Sequence, residues 1–409
     1  MKICKFVILL TFVLLVVEKV YPIQACPTLT LKRRVNVDKV LRSAAHQYLY
    51  MADRLKGTDV FPKTYDVKEH KPENSSSKWW CSGFYPGTLF YLYEETGYEE
   101  LYMEGVRMLK LLEPEQYNVS THDIGFMMYC SYGNAYRLTG EDSCRSVLIN
   151  ASTALTKRFN SKVGCIQSWE PWGELHFPVI IDNMMNLEML MWAYKETGKK
   201  IFKDIAISHA DKTMVNHFRE DNSSYHVVDY FPETGDVAFK GTNQGYSDDS
   251  AWSRGQAWGL YGYVMMYRET LDSKYLQKAH QIARFILDHP RLPEDKIPYW
   301  DFDSPNIPDE FRDSSTAAVI ASALLELCTY SDRELAEEYL SVAKKQLQVL
   351  SSDTYTAEFG TNGHFILKHG VGNMPAGSEV DAPLSYGDYY YVEALLRYKN
   401  YIKGYQGQN

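Results

Sequence analysis

The chain reads as an all-α protein, an (α/α)6 toroid of six helix pairs, and three observations predict it. Apolar residues recur at helical spacing through most of its 409 residues. The helices alternate in kind. Six begin on a cluster of aromatic, acidic, basic and glycine residues, and the partners between them begin plainly. Several helix ends repeat one turn motif at irregular intervals, which excludes a solenoid of identical units and suits helix pairs that close on themselves.

In chain order, the first helix is expected near 37–56. The cluster Trp79-Trp80-Cys81-Ser82-Gly83-Phe84-Tyr85-Pro86-Gly87 opens a helix over 84–96, closed by Tyr93-Glu94-Glu95-Thr96-Gly97. A plain helix over 99–113 follows. His122-Asp123-Ile124-Gly125-Phe126 opens 124–139, which ends in Tyr136-Arg137-Leu138-Thr139-Gly140, and 142–158 is its plain partner. Ile181-Asp182-Asn183-Met184-Met185-Asn186 opens 183–197, which ends in Tyr194-Lys195-Glu196-Thr197-Gly198, and 200–218 follows. Glycine after the last turn permits the left-handed C-cap. Residues 219–253 carry no helix. Tyr225–Tyr230 and Val237–Phe239 read as short strands around a Pro232–Asp236 turn, a long excursion of the kind that often carries function. Trp252-Ser253-Arg254-Gly255-Gln256-Ala257-Trp258 opens 255–270, ending in Tyr267-Arg268-Glu269-Thr270 without the glycine, and 273–289 pairs with it. Arg312-Asp313-Ser314-Ser315 opens 315–330, followed by 332–350. A second irregular stretch covers 353–384, and Tyr386-Gly387-Asp388-Tyr389 opens 388–402. If the six rich helices run parallel inside a ring, their clusters share one mouth.

Composition bounds the function. The chain is 45% hydrophobic and 23% charged, with a net charge of −9 and both signs mixed along it. That excludes a nucleic-acid or anionic-membrane surface, but not a small anionic substrate held by a few local cations. No Pro/Gly/Ser-rich linker divides the chain. Lys2, Lys5, the apolar run Phe6–Val17 and Ala25 read as a secretory signal over 1–25, leaving 26–409 as one catalytic domain with no membrane attachment. Sequons at Asn74, Asn118, Asn150 and Asn222 agree with a secreted or lysosomal destination. Cys26, Cys81, Cys130, Cys144, Cys165 and Cys328 remain, an even number that suits disulfides, although a chain this long does not need them and simple buried thiols fit as well. No zinc spacing, serine elbow, phosphate loop or dinucleotide fingerprint occurs.

Two acids stand out. Asp123 and Asp182 each sit directly before an apolar helix. A bland reading makes each an N-cap. If both head inner helices they share a cavity, and two close carboxylates raise one pKa, supplying a proton donor near neutral pH. Arg254, between two tryptophans, suits a carboxylate, with a helix-end surface role as the alternative. Trp80, Trp252 and Trp258 fit either sugar stacking or core packing. His226 and Gln244 bracket the long excursion. Glu170 and Glu174, beside Trp172, read as loop residues.

Taken together, the clusters resemble glycoside hydrolase family 88, the unsaturated glucuronyl hydrolases. The resemblance also takes in Gln244-Gly245-Tyr246-Ser247-Asp248-Asp249-Ser250 and Tyr299-Trp300-Asp301-Phe302, and covers nearly all of the chain after the signal. It implies an (α/α)6 barrel acting on unsaturated glycosaminoglycan disaccharides and oligosaccharides, with no metal or organic cofactor. It implies Asp182 as the acid that protonates C4 of a 4,5-unsaturated uronate and Asp123 as its partner. His122, His226, Gln244, Arg254, Trp258 and Trp80 fall where the family binds the sugar. Two departures stand: Cys81, either bridged or lining the cleft, and His369–Pro375, where the next sugar and any sulfate would be read. The rival readings are an unsaturated rhamnogalacturonyl hydrolase of pectin fragments and a secreted carbohydrate-binding protein on a decayed scaffold.

Overall fold

A computed structural model describes residues 35–406; the expected signal segment and Cys26 lie outside them. Its helices are α1 (Val37–Leu55), α2 (Phe84–Thr96), α3 (Glu99–Leu112), α4 (Asn134–Thr139), α5 (Asp142–Thr156), α6 (Leu187–Thr197), α7 (Lys200–Asn216), α8 (Ser253–Thr270), α9 (Ser273–Asp288), α10 (Ser314–Leu327), α11 (Arg333–Leu350) and α12 (Ser385–Gln406). A π-helical segment, Gly125–Gly133, leads into α4, and a 3₁₀ segment, Ile181–Asn186, leads into α6.

These elements close a ring. α2, the π-helical segment with α4, α6, α8, α10 and α12 pack each on the next, and α12 returns to α2. Outside it, α3, α5, α7, α9 and α11 each pack on the inner helix preceding them in the chain, and α1 covers α12 and α2. The sequence pattern explains the layers. In α8 every residue from Ser253 to Met266 is buried, as an inner helix surrounded by neighbours requires. Its partner α9 buries only a stripe, Tyr275, Lys278, Ala279, Ile282, Ala283, Ile286 and Leu287, the signature of a helix with one wet face.

The turn motif does what its glycines predict. Gly97, Gly140 and Gly198 take φ of 70°, 69° and 69° and donate N–H to Tyr93, Tyr136 and Tyr194 carbonyls. In the fourth copy Leu271 takes the same left-handed turn, φ 57°, with its N–H on Tyr267 O. Each turn reverses the chain from an inner to an outer helix, so every inner helix starts at the same end of the ring.

Strands collect at that end. β1 (Phe61–Asp66) and β2 (Lys71–Ser75) form a hairpin, and β3 (Phe159–Asn160) pairs with β4 (Cys165–Ile166). β5 (Pro178–Ile180), β6 (Val227–Tyr230) and β7 (Val237–Gly241) make an antiparallel sheet with Val179 opposite Val228 and Val228 opposite Lys240. β8 (Gly370–Asn373) and β9 (Ser378–Ala382) form a last hairpin. The expected strands of the 219–253 excursion are thus present as β6 and β7; β6, between β5 and β7, is buried throughout, and β7 is exposed or half-buried along most of its length.

The disulfide expectation is corrected for the described residues. Cys81, Cys130, Cys144 and Cys165 are buried free thiols, and Cys328 is buried with Sγ directed at Leu325 O. Cys81 neither bridges nor lines the cleft; it is 2% exposed, and burial pushes its thiol up to about 12.

Candidate active site

All six clusters head inner helices, so they meet at one mouth. Asp123 stands two residues before the π-helical segment, and Asp182 lies in the first turn of the 3₁₀ segment. Neither carboxylate caps its helix in the usual way. The Phe126 N–H that a cap would claim goes instead to Asn186 Oδ1 at 2.9 Å, tying the two acid-bearing heads together. Gly125 makes this approach possible: a Cβ there would lie 2.5 Å from Asn186 Cα. The remaining oxygens are therefore available for chemistry. Asp123 Oδ2 accepts from Thr121 Oγ1 at 2.8 Å, and Oδ1 lies 3.2 Å from His122 Nε2.

The Asp182 carboxyl is held above its ordinary range. Burial pushes its carboxyl up to about 7; the Arg254 cation pulls it down, and the Asp123 anion pushes it up again. Its Oδ2 has no hydrogen-bond partner, and the side chain keeps 13% of its surface accessible. Trp258 Nε1 also lacks a bond of ordinary geometry, yet it stands close enough to favour the Asp182 anion.

His226 completes the pair. Its Nδ1 accepts from the Asn243 and Gln244 amides at 3.0 and 3.1 Å. Two N–H donors on Nδ1 place the single proton of a neutral ring on Nε2. Burial, first, and then the neighbouring Arg254 cation hold the ring well below the usual histidine range, so it stays neutral. Nε2–H then faces Asp182 Oδ2 at 3.6 Å, longer than a hydrogen bond.

Arg254 is a brace. Nη1 donates to Asp313 Oδ2 at 3.0 Å and to Val371 O; Nη2 donates to Gln244 Oε1 at 3.2 Å and to Gly372 O. Those four bonds use both terminal nitrogens, and the guanidinium also lies 4.4 Å over the Trp252 ring. Arg254 thus holds the β8–β9 hairpin and Gln244 in place, and its charge reaches the cavity already offset by Asp313.

Several residues expected to touch sugar are placed differently. His122 is fully buried behind Asp123, with Nδ1 3.4 Å from Ser168 Oγ, so it positions the carboxylate. Trp258 is also fully buried, its ring against Phe126 and Tyr390 at 5.3 and 5.4 Å, so it is corrected from an open stacking face to a wall beneath Asp182. His226 and Arg254 are each 2% exposed. Trp80 and Gln244 keep accessible surface, Trp80 edge-on to Phe84 and Phe126. Glu170 is a loop residue, paired with Arg158 at 2.9 Å.

Sequence reasoning missed Asp313 as the anchor of Arg254. The signal was there, because Asp313 accepts from Ser315 N at 3.0 Å as an ordinary N-cap of α10. Its spare oxygen, shared with Thr316 Oγ1 and Arg254, follows only from ring closure. Asp388 is a second carboxyl pushed to about 7 by burial, but it is consumed structurally. It accepts from the Ile366 and Leu367 amides and from Tyr48 Oη, pinning the 353–384 excursion to the head of α12.

A ring of inner helices heading a carboxyl pair, with one acid held near neutrality, defines a glycoside hydrolase of the (α/α)6 class. The chain belongs to Glycosyl Hydrolase Family 88, whose family model matches residues 51–406. It is 40% identical over 373 residues to an unsaturated glucuronyl hydrolase of Formosa agariphila, covering 91% of this chain and 92% of that one. It is 31% identical to an unsaturated chondroitin disaccharide hydrolase of Streptococcus pneumoniae, covering 88% of this chain and 90% of that one. Among solved structures, an unsaturated glucuronyl hydrolase specific for heparin superposes with a TM-score of 0.87 at 47% identity, covering 90% of this chain and 98% of that one.

Proposed function

We propose that the chain removes the 4,5-unsaturated glucuronic acid from the non-reducing end of lyase-generated glycosaminoglycan oligosaccharides, with Asp182 as general acid and Asp123 as its partner. The carrying observation is the Asp182 carboxyl, raised to about 7 beside a second carboxylate and facing a neutral histidine N–H. Family relatives acting on unsaturated glucuronyl and chondroitin substrates support the substrate class.

The chemistry fits a vinyl ether. Asp182 gives its proton to C4, and positive charge develops at C5 and the ring oxygen. Water adds at C5 and returns a proton to the Asp182 carboxylate, so the acid is regenerated in one cycle. The resulting C5 hemiketal opens to a ketone, leaving a hemiacetal at C1. Its collapse to the aldehyde expels the neighbouring sugar as an alcohol. His226 Nε2–H stabilises the Asp182 anion between the two proton transfers, and Asp123 offsets the positive charge that develops. Because addition is to a double bond, the separation of the carboxylates does not set a retaining or inverting outcome.

The test follows the ultraviolet absorbance of the unsaturated uronate on an unsaturated chondroitin or hyaluronan disaccharide. Absorbance should decay with the native protein and persist with Asp182→Asn, whose amide keeps the shape but donates no proton to carbon. Near-native decay in that variant removes Asp182 from the acid role.

We also propose that the protein enters the secretory route, to a secreted or lysosomal destination. In support, the Asn74 sequon lies on the exposed strand β2. Mobility shift on peptide N-glycosidase treatment tests it.

A further inference from the structure

The proton of His226 depends on a loop with little of its own to hold it. Asn243 and Gln244, whose amides meet His226 Nδ1 at 3.0 and 3.1 Å, open the connection from β7 to α8. Most of that connection is exposed. Asn243, Tyr246, Ser247, Asp248 and Asp249 face solvent, and between Thr242 and Ser250 only Gly245 and Ser250 are buried. Exposed loops of this kind open readily unless the fold ties them down.

The tie is Asp301, whose side chain is fully buried beneath the loop. Its Oδ2 accepts from the Tyr246 N–H at 2.9 Å and from Ser250 Oγ at 2.8 Å, and Oδ1 accepts from the Asp303 N–H at 2.8 Å. Ser250 Oγ in turn accepts from the Ser247 amide at 3.0 Å. One carboxylate thus gathers both buried points of the loop. Gly245 lets the backbone come this close, since a Cβ there would lie 2.7 Å from Thr242 Oγ1 and 3.2 Å from Asp301 Oδ2. Asp301 itself stands on a fixed base. Ser253 donates its N–H to Trp300 O at 3.1 Å, and Phe302 donates to Ala251 O at 3.0 Å, so the backbone around Asp301 is paired with the head of α8. Two of the three bonds made by this carboxylate therefore carry the rigidity of the ring into the loop.

Other groups set the field around His226 but not its tautomer. They are Asp182 from the 3₁₀ head, Arg254 from α8, His217 from α7 and His122 ahead of the π-helical segment. Among the described residues, Nδ1 takes its two donors from the loop and from none of these. Without the amides the proton moves to Nδ1, and Nε2 then turns a lone pair toward Asp182. The Asp182 anion loses a donor and its protonated form gains an acceptor, and both changes raise its pKa. We propose that Asp301 is a positioning residue for the acid: by holding the Asn243 and Gln244 amides on Nδ1, it keeps the His226 proton on Nε2, facing Asp182. The inference deepens the reaction assigned above and rests on it, yet the tautomer has a test of its own.

Nitrogen-15 spectra of histidine-labelled protein report which ring nitrogen carries the proton, with the His226 signals assigned by their loss in His226→Gln. The native ring should carry it on Nε2. Asp301→Ala should show a substantial Nδ1–H fraction. Ser250→Ala, which leaves the Tyr246 and Asp303 amides on Asp301, should show a smaller one and carries the test alone if Asp301→Ala does not fold. A native ring protonated on Nδ1, or a proton kept on Nε2 in every folded variant, overturns the proposal. Turnover of an unsaturated disaccharide supplies the second reading. In Asp301→Ala, kcat at pH 7 should fall on the order of tenfold, and the alkaline limb of the pH profile should move to higher pH. A loop merely loosened lowers kcat by one factor at every pH, and that result overturns the role. If the native protein turns over no unsaturated substrate, the assigned reaction fails, while the nitrogen-15 result still decides whether Asp301 sets the tautomer.

Discussion

At the scale of single residues, the proposed reaction turns on one carboxyl held out of its ordinary range. Burial does most of this, and Asp123 adds to it against the pull of Arg254. Removing the Asp123 charge should therefore lower the Asp182 pKa. In Asp123→Asn, a carbon-13 titration of Asp182 should show its midpoint below the native value near 7; a midpoint that stays or rises would mean that the two carboxylates do not interact. In the native protein, activity that needs the protonated acid falls as pH rises through about 7. Stability carries the same sign. Between the ordinary value of 3.8 and about 7 the folded state binds more protons than the unfolded chain, so ionisation weakens the fold as pH rises through that window. Asp182→Asn should thus melt at or above the native temperature at pH 7 while losing turnover, the pattern of a residue kept for chemistry at a cost of a few kcal/mol at most. Both acids were legible in the sequence because each breaks an otherwise apolar helix start. The neutral state of His226 was not, because it depends on two amides, Asn243 and Gln244, that arrive from a loop.

At the scale of elements, the two acid-bearing heads depart from the helices that periodicity predicts. The expected helix over 124–139 is π-wound from Gly125 to Gly133, and the one over 183–197 begins as a 3₁₀ turn over Ile181–Asn186. Local pattern sets the apolar face but not the winding, and here a tertiary bond, Phe126 N–H to Asn186 Oδ1, takes a donor from the local ladder. Both irregular turns sit at the site, where departures from local preference are expected to concentrate. Gly125→Ala tests this coupling. Its Cβ would fall 2.5 Å from backbone Cα of Asn186, and backbone cannot swing aside as a side chain can. The heads must part, and turnover should fall on the order of a hundredfold through misplacement. A Gly125→Ala protein with native kcat would show that the acids do not depend on this contact. The β1–β2 and β8–β9 hairpins escaped sequence reading because β2 is almost wholly polar and exposed and β8 is half glycine, so neither alternates cleanly.

At the scale of the whole molecule, ring closure is what the sequence stated most clearly and what it explained least. Six rich starts and a repeated turn predict the ring, but nothing in local pattern says how the last inner helix meets the first. Phe84 at the head of α2 packs on Tyr389 and Tyr390 of α12, and a polar cluster joins the helices further from the acids. Glu393 on α12 accepts from Tyr91 Oη on α2 at 3.0 Å, from Tyr261 Oη on α8 at 3.1 Å and from Ser322 Oγ on α10. Arg397, one turn on, donates to Tyr261 Oη at 2.8 Å and Ser322 O at 2.9 Å and pairs with Glu326 at 2.9 Å. One carboxylate therefore joins four of the six inner helices. Removing it leaves three hydroxyls without their acceptor and Arg397 short of one anion, a change worth about 3–5 kcal/mol in comparable buried pairs. In a chain of this size that loss lowers Tm by on the order of 5 °C. Because the ring has no partial form in which an inner helix stays buried on both sides, Glu393→Ala should shift one cooperative transition and not split it. The surviving folded fraction should keep native kcat at low temperature, since the acids head α4 and α6, which Glu393 does not bond. Two separate melting steps in the variant would show that α12 docks as an independent unit on a partly closed ring.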